Sequence, residues 1–100
     1  MKLFLDDVRN PPDNSWTVTR DAHKCIALLK LGKVEVISLD HDLGENTPTG
    51  YDVLKWIEKV TALGEFTPPK EIRVHSANPV GRGVMDAAIV SIRRFEQMKH

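Results

Sequence analysis

The chain has 100 residues, of which 41% are hydrophobic and 28% are charged, and these fractions are typical of one globular domain. Its 14 basic side chains balance its 14 acidic ones, which excludes the extended nucleic-acid surface that depends on excess positive charge. No apolar run is long enough to cross a membrane, and Cys25 has no second cysteine for a disulfide. We therefore expect one cytoplasmic domain over residues 1–100, with no membrane partner.

Four segments have the apolar patterns of β-strands. Residues 2–6 and 34–39 are apolar on both faces, which predicts strands in the centre of a sheet. Residues 16–19 and 71–76 alternate between apolar and polar side chains, which predicts strands at the two edges. The sequence therefore predicts a four-stranded sheet of order 2-1-3-4.

Three helices are predicted by capping residues and by apolar side chains at helical spacing. They run from Thr19 or Asp21 to Gly32, from Thr49 to Gly64, and from Asn78 to about residue 97. Strands that alternate with helices pair in parallel through right-handed crossovers. Residues 9–15 contain two prolines and two asparagines, so a loop replaces the first helix. One face of this α/β fold would carry fewer helices, which favours a homodimer that buries it.

Polar side chains that can act in catalysis or metal binding follow three of the predicted strands, at the point where each strand ends. They are Asp6 and Asp7, residues 40–42 (Asp-His-Asp), and residues 75–76 (His-Ser). In parallel α/β sheets, ligands bind outside the carboxyl ends of the strands. The sequence therefore predicts a functional site at this edge of the sheet.

Several segments resemble response-regulator receiver domains, in the order in which those domains carry them. The matching segments are a first strand with its acidic pair (2–7), a second strand and helix start (16–22), a phospho-acceptor strand and glycine-headed helix (36–40 and 49–54), and a strand ending in a hydroxyl and an alanine (76–77). The resemblance implies a minimal flavodoxin-like, three-layer fold, and it places Asp40 at the acceptor position.

The chain departs from ordinary receivers in ways that resemble the divergent cyclic-phosphate-processing receiver-like domains. The fifth strand of receivers, with the lysine that contacts the phosphoryl group, is not expected within residues 1–100. Distinctive residues stand instead after the strands: Arg9 follows the acidic pair, residues 40–44 read Asp-His-Asp-Leu-Gly, and residues 75–78 read His-Ser-Ala-Asn. The resemblance implies a phosphoesterase that processes a cyclic phosphate on a nucleotide or an RNA end.

The acidic residues at the predicted edge suit a divalent cation. Asp6, Asp7, Asp40 and Asp42 would lie too close together to stay ionised without a counter-charge. Carboxylate oxygens are hard ligands of the kind that Mg²⁺ or Mn²⁺ prefers. The alternative is that these acids cap loops and helix starts.

Two histidines are candidates for proton transfer. Opening a cyclic phosphodiester requires a base for the attacking water and an acid for the departing oxygen. Imidazoles with pKa values of about 6.5 can take either role near neutral pH. We therefore predict His41, His75 and Asp40 as catalytic residues, with metal ligation or a structural role as the alternatives for each histidine.

Four further residues are candidates for binding phosphate. Arg9 follows the acidic pair closely enough to bind an anion bidentately, and its alternative role is a salt bridge to a nearby acid. Ser76, Asn78 and Arg82 lie at a helix start, where backbone N–H groups favour anions. Asn78 is equally well explained as the helix cap.

These features support three hypotheses of different classes. The first is a phosphoesterase that uses an acidic metal cluster and a histidine pair. The second is a non-catalytic, degenerate receiver that binds a protein or a phosphorylated ligand. The third is a residual phospho-acceptor at Asp40, and the absent lysine disfavours it. The histidine pair separates the first hypothesis from the second, because a passive binding module has no chemical need for it.

Overall fold

A computed structural model of the chain describes residues 1–98 as an α/β fold of four strands and three helices. The elements in chain order are β1 (Lys2–Leu5), β2 (Trp16–Thr19), α1 (Ala22–Leu29), β3 (Val36–Leu39), α2 (Gly50–Ala62), β4 (Glu71–Val74) and α3 (Pro79–Gln97). No helix within the described residues is long and apolar enough to span a membrane.

The four strands form a parallel sheet of order β2-β1-β3-β4. The predicted order and the predicted central and edge positions are therefore confirmed. Leu5 lies level with Thr19 on one side and Leu39 on the other, so β1, β2 and β3 end in one row. The residues that follow the strands consequently meet at the carboxyl edge.

The core lies between the sheet and the three helices. Alternate strand residues (Leu3, Leu5, Ile37 and Leu39) are fully buried and pack in one cluster with apolar residues of all three helices. Burial of such side chains is the main force that holds the helices to the sheet. Cys25 is a free, buried thiol within this cluster.

The helix starts follow the predicted capping signals. The Asp21 carboxylate accepts a hydrogen bond from the backbone N–H of Lys24, which makes it the cap of α1. Thr49 and Asp52 form the predicted capping box of α2. At the end of α2, Leu63 lies beyond the last helical residue and is exposed.

The face of the sheet opposite the helices is covered by side chains and by a loop. Residues 9–15 form no helix, as predicted, and residues 10–14 line a cavity together with Trp16 and the exposed Val18. Phe4 packs edge-on against Trp16, and both are largely buried. The homodimer stays a prediction, and this face leaves less apolar surface for it than a bare sheet would.

Candidate functional site

Three carboxylates come together at the carboxyl edge of the sheet. Asp6 follows β1, where its backbone N–H donates to the carbonyl of Thr19, and Asp40 follows β3, where its N–H donates to the carbonyl of Leu5. One oxygen from each of Asp6, Asp7 and Asp40 lies within 4.8 Å of the others. Within residues 1–98 this is the acidic group whose geometry suits a metal ion.

The Asp6 carboxylate is fully buried and held from both sides. Its Oδ1 accepts hydrogen bonds from the backbone N–H groups of Val8 (2.9 Å) and Arg9 (2.8 Å). Its Oδ2 lies 3.0 Å from Nε2 of His75. Burial alone would raise the pKa of Asp6, but these hydrogen bonds and the charge of His75 outweigh it and lower the pKa. Asp6 is therefore ionised and oriented at neutral pH.

His75 is engaged at both ring nitrogens. Besides the Nε2 contact with Asp6, its Nδ1 lies 2.7 Å from Oγ of Ser38 in β3. The imidazole also stacks on the ring of Phe4, with centroids 4.5 Å apart and planes 3° apart. Because β3 lies between β1 and β4, the imidazole reaches Phe4 across the position of Ser38, where a small side chain is needed.

The contact between Ser38 and His75 was not predicted from the sequence. The available signal was a buried serine in an otherwise apolar central strand, since a buried hydroxyl usually has a hydrogen-bond partner. The serine alone does not identify that partner.

His41 forms a separate pair with Asp42. Nδ1 of His41 lies 2.9 Å from Oδ1 of Asp42, and this hydrogen bond, followed by smaller contributions that include Asn78, lowers the pKa of Asp42. The side chain of His41 is 20% exposed, and the hydrogen bonds within residues 1–98 leave its Nε2 without a partner. Asp42 is hydrogen-bonded to His41 and Asn78 and is not one of the three grouped carboxylates. Its role as a metal ligand stays a prediction.

Two glycines provide room for the loop after β3. Gly81 in α3 lies against the His41 ring, and a Cβ there would be 2.7 Å from Cγ of the imidazole. A Cβ on Gly50 would be 1.8 Å from the carbonyl oxygen of Asp40, and the Gly50 N–H donates to the carbonyl of His41 at 3.0 Å. The loop after β3 therefore contacts the starts of α2 and α3 directly. A side chain at Gly50 or Gly81 would push the loop and the helix apart.

Of the four predicted phosphate-binding residues, two hold the start of α3 and two have side chains exposed to solvent. Asn78 caps α3 by accepting hydrogen bonds from the N–H groups of Val80 and Gly81, and buried Ser76 accepts one from Asn78. Arg9 and Arg82 are exposed. Arg9 also donates to the carbonyl of His75 at 3.4 Å, which brings its guanidinium over the end of β4. Phosphate binding by all four residues stays a prediction.

Arg20, at the end of β2, fixes the loop that carries Arg9. Its guanidinium donates to the carbonyls of Asp6 (3.1 Å) and Arg9 (2.6 Å) and to Oδ1 of Asn10 (2.9 Å). No sequence signal predicts this role of Arg20, because a lone arginine at a strand end has no distinctive pattern. These three hydrogen bonds tie Arg20 to residues 6, 9 and 10 and hold that turn in place.

Comparison with known proteins fits this geometry. A family model described as Cyclic-phosphate processing Receiver domain matches residues 1–91. The chain belongs to this family. The predicted resemblance and the predicted receiver-like fold are thus confirmed, and the description of the family implies a partner that contains a cyclic phosphate. No curated protein and no solved structure matches the chain.

Proposed function

We propose that this member of the family is a phosphoesterase that opens a cyclic phosphate with water, on a nucleotide or an RNA end. The observation that carries the proposal is the group of Asp6, Asp7 and Asp40 beside the His41–Asp42 pair. An anchoring site for a phosphate-bound cation and an oriented imidazole are the two parts that such a hydrolysis needs.

The carboxylate group fits a divalent cation such as Mg²⁺ or Mn²⁺. Two ligands at about 2.1 Å from one ion are at most about 4.2 Å apart, so oxygen separations within 4.8 Å require only small side-chain movements. Asp6 Oδ2 can accept from His75 and still ligate, because a carboxylate oxygen has two lone pairs. A bound cation would neutralise the carboxylates and stabilise negative charge on the phosphate.

His41 is suited to move the proton. The ionised carboxylate of Asp42 accepts the Nδ1–H, so Nε2 is left to accept a proton from water. As the new P–O bond forms, one P–O ester bond of the ring breaks, and the departing alkoxide takes the same proton back from His41. The product is a phosphate monoester, and the imidazole returns to its starting form.

We assign His75 a holding role within the same proposal. Both of its nitrogens have partners, so direct proton transfer would require one hydrogen bond to break. As placed, Nε2–H donates to ionised Asp6 and keeps that carboxylate at the edge of the sheet. Arg9, over the end of β4, would bind the phosphate oxygens, where a guanidinium forms bidentate hydrogen bonds.

The test is phosphorus NMR of the protein with 2′,3′-cyclic nucleotides and with RNA that ends in a cyclic phosphate. Parallel samples contain Mg²⁺, Mn²⁺ or EDTA. We expect conversion to a monoester, a loss of about 10²-fold or more in His41→Ala, and no loss in His23→Ala, a matched change at an exposed helical histidine. Metal binding is measured separately as Mn²⁺ broadening of the Asp6, Asp7 and Asp40 amide signals.

The competing hypotheses predict different spectra. A passive binding module would shift signals around Arg9 with cyclic nucleotides but release no monoester under any condition. A phospho-acceptor would label Asp40 from a small phosphodonor in the presence of Mg²⁺. If His41→Ala hydrolyses a substrate at the wild-type rate, the proton-transfer role proposed for His41 is wrong.

A further inference from the structure

The turn that carries Arg9 is held mainly by side chains. Residues 6–10 are followed by two prolines, which have no N–H group to donate to a neighbouring strand or loop. The turn is tied to the end of β2 by the guanidinium of Arg20, whose three hydrogen bonds end on residues 6, 9 and 10. The proposed phosphoesterase mechanism gives Arg20 no part.

Arg20 itself extends from a part of the chain that is fixed on both sides. The residue before it is Thr19, which is buried, lies level with Leu5 and accepts a backbone hydrogen bond from Asp6. The residue after it is Asp21, the cap of α1. Because the sheet and the helix start hold these neighbours, the Arg20 guanidinium fixes the turn relative to the sheet.

The two functional side chains of this turn depend on Arg20 to different degrees. The Asp6 carboxylate has its own supports, because Oδ1 accepts from two backbone N–H groups and Oδ2 lies on His75. The Arg9 guanidinium is exposed, and within residues 1–98 its hydrogen bond to the carbonyl of His75 is long, at 3.4 Å. A looser turn would therefore displace the Arg9 guanidinium first and leave the Asp6 carboxylate in place.

We propose that Arg20 is a positioning residue for phosphate binding, which holds the residue 6–10 turn so that the Arg9 guanidinium is in place before the phosphate arrives. The proposal rests on the phosphoesterase function and deepens it, because it assigns part of the affinity for phosphate to a residue outside the reacting groups. A side chain that is already held loses less freedom on binding. The cost of ordering one long side chain corresponds to an affinity change of about two- to tenfold.

The first test separates binding from turnover and from metal binding. Arg20→Ala should raise the KM for a 2′,3′-cyclic nucleotide and the Kd for inorganic phosphate by about two- to tenfold. The change in kcat should be smaller, because Arg20 contacts neither His41 nor a carboxylate oxygen. Mn²⁺ broadening of the amide signals of the three grouped carboxylate residues should persist.

Two further variants separate position from charge. Arg20→Lys keeps the positive charge, but one ammonium group cannot serve three acceptors as the planar guanidinium does, so phosphate binding should weaken here too. Arg94→Ala removes an exposed arginine in the last turn of α3 and should bind phosphate as the wild type does. The urea midpoint of each variant establishes that it is folded.

The decisive comparison repeats Arg20→Ala in a protein that already carries Arg9→Ala. If Arg20 acts through the Arg9 guanidinium, its removal from this background should leave the Kd for phosphate nearly unchanged, because the two effects are not additive. Equal losses in the two backgrounds overturn the inference, as does wild-type affinity in Arg20→Lys or loss of Mn²⁺ broadening in Arg20→Ala. If Arg20→Ala does not fold, Arg20→Lys with and without Arg9→Ala decides in the same way.

The phosphate titration and the hydrolysis assay separate this inference from the function on which it rests. Coupling between Arg20 and Arg9 in phosphate binding, without hydrolysis of any cyclic ester, overturns the phosphoesterase and supports the positioning role. Hydrolysis without such coupling in Kd or KM overturns the positioning role and leaves the phosphoesterase standing. A wild-type protein that neither binds phosphate nor hydrolyses a cyclic ester overturns both.

Discussion

Replacing Gly81 by alanine should displace His41 without unfolding the protein. A Cβ at this position would lie 2.7, 2.9 and 3.1 Å from three carbons of His41. Carbon atoms in favourable contact are about 3.5–4.0 Å apart, so the imidazole must move by about 1 Å. A movement of this size would break the 2.9 Å contact between His41 and Asp42.

The effects on stability and on catalysis should separate. Alanine in place of a helical glycine stabilises by roughly 0.5–1 kcal/mol, and loss of one hydrogen bond costs about as much. We therefore expect Gly81→Ala to unfold in urea near the wild-type midpoint. A misplacement of about 1 Å can cost about 10²-fold in rate, and we expect a loss of that size in the hydrolysis assay.

Gly83→Ala is the matched control, two residues along the same helix. No atom lies within 4 Å of a Cβ at Gly83, so only the gain in helix propensity remains. Its melting temperature should rise by about 4 °C or more per kcal/mol gained, with an unchanged rate. If Gly81→Ala instead gains stability as Gly83→Ala does and hydrolyses at the wild-type rate, the contact with His41 does not confine the imidazole and our reasoning is refuted.

Three further predictions concern the fold around the site. Gly50→Ala should lower the unfolding free energy by about 1–3 kcal/mol or more in urea titrations, because its Cβ would lie 1.8 Å from the Asp40 carbonyl. The pKa of Asp6 is lowered in the folded protein, so its ionised carboxylate stabilises the fold above about pH 4, and this contribution is lost as the pH falls through the folded pKa. The loss of unfolding free energy in Asp6→Asn, relative to wild type, should therefore shrink between about pH 6 and pH 3. A loss that stays constant over this range would contradict the prediction. Burial raises the pKa of Cys25 to about 12, so a thiol reagent at pH 8 should label the native protein slowly and the urea-unfolded protein at once.

The sequence predicted the sheet because burial leaves a pattern along each strand. Apolar residues on both faces marked β1 and β3 as central, and alternation marked β2 and β4 as edges. The prediction was less informative within β2, where Thr19 is buried and Val18 is exposed. Thr19 lies level with Leu5, and its hydroxyl donates to the carbonyl of Phe4 on the neighbouring strand, so this buried polar side chain has a partner that the pattern along β2 did not reveal.

The site was predictable as a set of residues but not as a set of pairs. Parallel strand ends are enough to place Asp6, Asp40 and His75 at one edge. Which partner each side chain takes depends on distances of a few ångströms, set by strand register and side-chain rotamers. From the sequence, His41 and His75 were predicted to share one role, whereas the structure pairs His41 with Asp42 and His75 with Asp6 and Ser38.

Three small residues shape this site, two glycines by the room that they leave and Ser38 by its size and by its hydroxyl contact with His75. Gly50 lets a helix start reach the Asp40 carbonyl, Gly81 leaves room for His41, and Ser38 lets the ring of His75 reach Phe4. A search for acids, bases and ligands passes over such positions, because much of their contribution is the volume that they leave empty. Gly83 lies in open space on the same helix as Gly81, so we expect its replacement to leave the site unchanged. The spacing of small residues is thus part of what this sequence specifies, and substitution of Gly50, Gly81 and Ser38 tests the geometry of the site more directly than removal of its carboxylates.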